Sequence, residues 1–246
     1  MPLVRTGRII VLTGYFEGTE PSTGETKGVE MSNDDLERSV TDELFWDPKV
    51  DNAAIAVSAE DGVVTLRGTV GSFRQKREAK HDAERIFGVK SVNNDLQVRI
   101  LNQDRRGDAD LRGAVLQALM LDSLVPSTID AKVDDGVVTL TGTANWQFER
   151  DEAEFVAANI LGVVSVDDEI DLVPPPPSAG DVKSSIKKAM ERNAKLDADS
   201  VTVDSSNGTI TLHGTVSSWA DHDEAVAAAW AAPGVTNVKD RILVAY

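Results

Sequence analysis

His81, His213 and His222 are the chain's only imidazoles, and cysteine is absent. That absence removes disulfides, thiolate metal sites and cysteine nucleophiles. No two histidines stand at a tight zinc spacing. His213 takes the place of Arg67 and Thr141 in the repeats described below, on the strand face opposite Ile210 and Leu212, and reads as a surface residue. No Gly-x-x-x-x-Gly-Lys-Ser loop, Gly-x-Ser-x-Gly elbow or dinucleotide fingerprint is present. Carboxylates gather at Asp134-Asp135, Asp167-Asp168-Glu169 and Asp171. They would suit a hard cation, but they lack the spacing of a calcium loop and read as a solvated acidic surface. No apolar pocket can be placed around a carboxylate pair, so acid–base catalysis has no candidate. The expectation is a non-enzymatic protein with no catalytic residue, no cofactor and no metal site.

Positive charge offers a different chemistry. Lys and Arg number 25 against 41 Asp and Glu, a net charge of −16 in 246 residues. Such a chain is a poor partner for nucleic-acid backbone. The deficit is uneven: −3 over 32–100, −10 over 101–173, −2 over 174–246 and −1 over 1–31. Within the outer segments, two helical stripes collect basic residues. Arg74, Arg77, His81 and Arg85 fall at i, i+3, i+7, i+11, opposite Ala79, Ala83 and Ile86, so the spacing turns them outward. Lys188, Arg192 and Lys195 form the second stripe, with Lys183 and Lys187 nearby. Each basic residue near anionic lipid is worth about 1 kcal/mol, and Glu78, Asp82 and Glu84 subtract from the first stripe. An ordinary charged helix face accounts for the same residues. Phe45-Trp46, ahead of Asp47-Pro48, points away from the Leu44 core stripe. Tryptophan favours membrane interfaces, and packing on a neighbouring unit is the other reading.

The elements that position these residues are repeated. Asp61-Gly-Val-Val-Thr-Leu-Arg-Gly-Thr69 recurs as Asp135-Gly-Val-Val-Thr-Leu-Thr-Gly-Thr143 and as Asn207-Gly-Thr-Ile-Thr-Leu-His-Gly-Thr215. Gly62 and Gly68, Gly136 and Gly142, and Gly208 and Gly214 keep one spacing, and Gly88, Gly162 and Gly234 follow at another. A fixed period of this length marks repeated supersecondary units. Asp-Gly and Asn-Gly favour a two-residue hairpin turn with φ > 0 at both positions. Apolar residues alternate around it, Ile55 and Val57 before and Val64 and Leu66 after, which makes a strand pair with one buried face.

Helical spacing flanks each hairpin. Leu36, Val40 and Leu44 precede the first, Leu111, Val115 and Leu119 the second, and Val182, Ile186 and Met190 the third. Ser32 and Asp35 suit a capping box. Ala79, Ala83 and Ile86, Ala153, Ala157 and Ile160, and Ala225, Ala229 and Ala232 mark a second helix in each unit, and Gly88 and Gly162 fit the left-handed residue closing it. Phe73, Trp146 and Trp219 recur at its start and read as structural. A last strand carries Leu96 and Val98, Ile170 and Leu172, or Ile242 and Val244.

The predicted fold is α+β: three tandem αββαβ units, each a three-stranded sheet with two helices on one face. The units occupy 32–100, 108–173 and 181–246, joined by a linker at 101–107 and a Pro-rich linker at 174–180. Units this small bury little core, so packing among the three is expected. Residues 1–31 read as a disordered leader rich in Gly, Thr, Ser and Glu. Met31, directly ahead of the capping box, reads as the start of the folded part, with residues 1–30 dispensable. Ile9-Ile10-Val11-Leu12 is too short for a secretory or membrane-spanning segment. A cytoplasmic or peripheral membrane location is expected, with the periplasm as the alternative.

The unit resembles the BON domain, a small module of osmotically induced and nodulation-associated bacterial proteins. The resemblance rests on the hairpin x-Gly-x-[Val/Ile]-Thr-Leu-x-Gly and on the later Gly-Val-x-x-Val, both present in all three copies. It implies attachment to phospholipid or membrane surfaces under osmotic or envelope stress. Arg74, Arg77, Arg85, Lys188, Arg192, Lys195, Phe45 and Trp46 are the candidate lipid contacts. A protein-binding scaffold, or binding of a small ion or solute, stays open beside it.

Overall fold

The computed structural model describes residues 31–101, 105–175, 182–192 and 199–245. The leader over 1–30, parts of both linkers and Lys195 lie outside the described residues. The first unit is α1 (Asn33–Trp46), β1 (Ile55–Glu60), β2 (Val63–Val70), α2 (Phe73–Glu84) and β3 (Ser91–Val98). The second is α3 (Asp108–Leu121), β4 (Asp130–Asp134), β5 (Val137–Ala144), α4 (Gln147–Ala158) and β6 (Ser165–Leu172). The third is α5 (Val182–Arg192), β7 (Val201–Ser206), β8 (Thr209–Val216), α6 (Trp219–Trp230) and β9 (Asn237–Val244). Each sheet runs in sequence order, with an antiparallel hairpin and a parallel third strand. The parallel pair needs the intervening helix as its crossover, which fixes where α2, α4 and α6 lie.

Hairpin register follows from the turn. Glu60 pairs with Val63, which leaves Asp61-Gly62 as the whole connection, at φ 51° and 85°. The equivalent pairs Asp135-Gly136 and Asn207-Gly208 have the same conformation. The first helix clasps this turn. Asn33 Oδ1 accepts from the Asp61 N–H at 3.1 Å, and Asp108 accepts from the N–H groups of Asp135 and Gly136, each at 3.2 Å. The later glycine of each hairpin answers a close approach. A Cβ on Gly142 would lie 2.2 Å from the Thr128 carbonyl oxygen, so only hydrogen fits.

Ser32 caps α1 as expected: its Oγ accepts from the Asp35 N–H and donates to the Asp35 carboxylate. Gly88 is not the residue that closes α2. The helix ends at Glu84, and Arg85 and Ile86 donate to the carbonyls of His81 and Ala83 in a tightened last turn. The left-handed Gly88, φ 91°, belongs to the bend three residues beyond Arg85, which leads into β3.

Each unit has its own core. Leu36, Val40 and Leu44 meet Val64, Leu66, Ala79, Ala83 and Leu96 in the first, with the same positions filled in the others. A recurrent polar tie links the second helix to the third strand. Asn94 donates to the Lys76 carbonyl, Asp168 takes Arg150, and Asp240 takes His222. The acidic run around Asp168 is thus partly structural.

The second helices also join the units. Phe73 packs against the core of the second unit, where Arg77 meets Glu154 at 3.6 Å and lies over the Phe155 ring. Residues of α4, including Trp146 and Phe148, line a groove with Val226 and Trp230 of α6. Trp219 of α6 donates its indole N–H to Val89 of the first unit. First to second, second to third and third to first, the contacts close a ring.

Candidate functional site

The first unit differs from its two copies at the seam between α1 and α2. Asp82 is wholly buried, and among the described residues it is the only buried charged one. The second and third units place Val156 and Ala228 there, packed against their cores. One oxygen of Asp82 takes the Arg85 guanidinium at 2.6 Å, and Arg85 also reaches Glu43 at 2.9 Å. The other oxygen, Oδ2, has no donor among the described residues, and the neighbouring group is another carboxylate, Asp47. Burial, aided by the neighbouring Asp47 carboxylate and opposed by Arg85, raises the Asp82 pKa to about 6. Asp47, the residue after α1, is held below the usual carboxylate range, chiefly by the backbone N–H of Lys49. Lys49 closes the cluster, 3.1 Å from Glu78 and 3.5 Å from Asp47. Ligand atoms of Glu78, His81 and Asp82 lie within 4.8 Å of one another.

The candidate lipid contacts are placed unevenly. Arg77 faces the second unit through Glu154 and Phe155, and Arg85 is held by Glu43 and Asp82. The outward stripe expected from spacing is therefore half absorbed in the first unit's own seam and its join to the second. Arg74 stays exposed, as do Lys188 and Arg192, and none of the three makes an ion pair among the described residues. Phe45 and Trp46 project at the end of α1, 64% and 77% exposed, ring edge against ring face.

A second apolar pair escaped the sequence reading. Met120 and Leu121 close α3 at 78% and 74% exposure, with Leu124 just beyond. Aligned on their buried stripes, α1, α3 and α5 carry Phe45-Trp46, Met120-Leu121 and Glu191-Arg192 at equivalent positions. Aligning the three first helices reveals that pattern, as aligning the second helices reveals Asp82 in an apolar slot. No helix among the described residues is long and apolar enough to cross a membrane.

Comparison with known proteins agrees with the repeat. The chain is 28% identical over 186 residues to the Osmotically-inducible protein Y of Escherichia coli strain K12, covering 69% of this chain and 92% of that protein. Two solved structures align at 16% identity, both of CdsD, a structural protein of the type III secretion system of Chlamydia trachomatis. They cover 86% and 88% of this chain and 92% and 100% of those chains, with a TM-score of 0.24 in each case. The BON domain model matches three times, at residues 32–100, 107–174 and 178–246, each match spanning one αββαβ unit. With nearly the whole folded chain so matched, this protein belongs to the BON domain family and carries three BON domains in tandem.

Proposed function

We propose that this BON-domain protein is a non-enzymatic binding protein that docks on anionic phospholipid surfaces during osmotic stress. The observation that carries the reading is the pair of bare apolar helix ends, Phe45-Trp46 and Met120-Leu121. Side chains this large and this exposed mark an interaction surface when they cluster. The two pairs stand at equivalent positions, each closing the first helix of its unit. The third end offers Arg192 instead, with Lys188 one turn before it. Apolar contacts together with basic side chains supply the two kinds of signal that peripheral attachment requires. The acidic second domain, which carries Met120-Leu121, limits the affinity for an anionic surface. The stress setting is carried over from the name of the Escherichia coli relative.

The test is co-sedimentation with neutral and with anionic vesicles at low and high salt. Binding is expected on anionic vesicles at low salt and should weaken as salt screens the basic residues. Replacing Phe45, Trp46, Met120 and Leu121 by Ser should abolish it while leaving the far-ultraviolet circular dichroism unchanged, because none of the four supports a core. Arg74→Glu with Lys188→Glu should weaken it. Arg77→Glu is a poor probe, since it also breaks the contact with Glu154. A wild-type protein that ignores anionic vesicles at low salt overturns the lipid reading and leaves the protein-binding scaffold in its place.

A further inference from the structure

We propose that the first BON domain holds a divalent transition-metal ion between α1 and α2, bound by Asp82, Glu78 and His81. This inference stands apart from the lipid reading and uses none of its residues except Arg85, which is a neighbour and not a ligand.

The fold does not ask for a carboxylate at position 82. The other two domains complete the same seam with Val156 and Ala228. Burying Asp82 instead costs free energy unless both oxygens are served. Arg85 serves one, and Oδ2 has no donor among the described residues, with the Asp47 carboxylate beside it in place of a cation. Glu78 and His81, one turn and one residue earlier on α2, bring their ligand atoms within 4.8 Å of Asp82 and of each other. The equivalents of His81 are Phe155 and Ala227, and those of Arg85 are Asn159 and Ala231, so imidazole, buried carboxylate and guanidinium arrive together in one domain only.

Charge balance points the same way. Four carboxylates, Glu43, Asp47, Glu78 and Asp82, surround two cations, Lys49 and Arg85. Two negative charges remain uncompensated, which a divalent ion matches. Lys49 reaches Glu78 and Asp47, but its side chain is 47% exposed, so it can withdraw into water when a metal competes for Glu78. One imidazole with two carboxylates suits Zn2+ or Mn2+ and is a poor cage for Ca2+, which prefers oxygen alone. Three protein ligands leave the remaining positions to water.

The experiment uses the full chain, freed of metal by chelator and returned to Zn2+, Mn2+ or Ca2+ separately. Zn2+ or Mn2+ should raise the melting temperature by several degrees at concentrations well above its Kd, because a ligand of the folded state alone stabilises it. Ca2+ should not. Asp82→Val and His81→Phe carry the second domain's own residues, so the fold should tolerate them, and both should lose the response. Sub-stoichiometric Mn2+ should broaden the imidazole resonances of His81 before those of His213 and His222. An equal rise in wild type and Asp82→Val, or simultaneous broadening of all three histidines, would mean diffuse binding to an acidic surface and overturns the proposal. A wild type indifferent to every metal also overturns it and assigns Oδ2 to a proton shared with Asp47.

Discussion

The indole N–H of Trp219 donates to the Val89 carbonyl at 3.0 Å, across 130 positions of sequence. The bond joins the third domain to the first and closes the ring that Phe73 and Arg77 open between the first and second. Domains of this size are individually marginal, so contacts between them add directly to the stability of each.

Trp219→Phe keeps an aromatic ring at the seam and deletes the donor. Stability should fall by about 1 kcal/mol, the usual net value of one such bond. Urea unfolding followed by circular dichroism measures it, with protease resistance of the third domain as a second readout. A midpoint equal to that of wild type would show that the ring does not close through this contact.

Gly136→Val should destabilise the second domain by roughly 1–3 kcal/mol, because a β-branched residue is strained at φ 78°. Its Cβ would also meet the Val164 side chain at 3.0 Å and the Gly162 carbonyl at 3.1 Å. Gly142→Ala should be worse, since the added carbon would lie 2.2 Å from the carbonyl oxygen of Thr128, whose hydroxyl is tied to the Thr143 carbonyl of β5. Thermal melts of the two variants order the effects. A milder Gly142→Ala would contradict the close approach.

His222 gives the third domain a pH dependence of defined sign. Its ring bridges Asp223 on α6 and Asp240 on β9, at 3.0 and 2.6 Å, and lies 4.7 Å from the Trp219 ring. Hydrogen bonding to Asp223 leads the causes that raise its pKa above 6.5, and Asp240 adds to it against the cost of burial. A raised histidine pKa stabilises the fold fully below the unfolded value, and that contribution is lost as pH rises through the folded value. Stability should therefore decline from about pH 6.5 upward. His222→Arg copies Arg150 of the second domain, which makes the same tie to Asp168. The variant should fold and lose the decline. Melting temperatures across pH 5.5–8.5 decide it, and an unchanged slope in the variant would place the titration elsewhere.

The hairpins, the helices and the threefold repeat were legible in the residues themselves. Asp61-Gly62 writes its turn into two adjacent residues, and alternation at Val64 and Leu66 writes the buried face, because strand and helix periods are local properties of the chain. The same residues carried the resemblance to the BON domain, and the match over all three units established the family. What tertiary structure decided is where surface-looking residues go once the domains meet. Spacing places Arg77 and Arg85 on the outer face of α2, yet Arg77 reaches Glu154 in the next domain and Arg85 reaches back to Glu43 on α1. Asp82 reads in sequence as one more acidic residue opposing a basic stripe, and only the packing of α1 on α2 makes it a buried carboxylate with an oxygen to spare. Phe45-Trp46 and Met120-Leu121 lie at equivalent ends of equivalent helices, but whether a neighbouring domain covers those ends is a question of how three units dock. Helical period fixes the face a side chain occupies on its own helix, whereas the partner that covers that face depends on contacts between residues far apart in the chain.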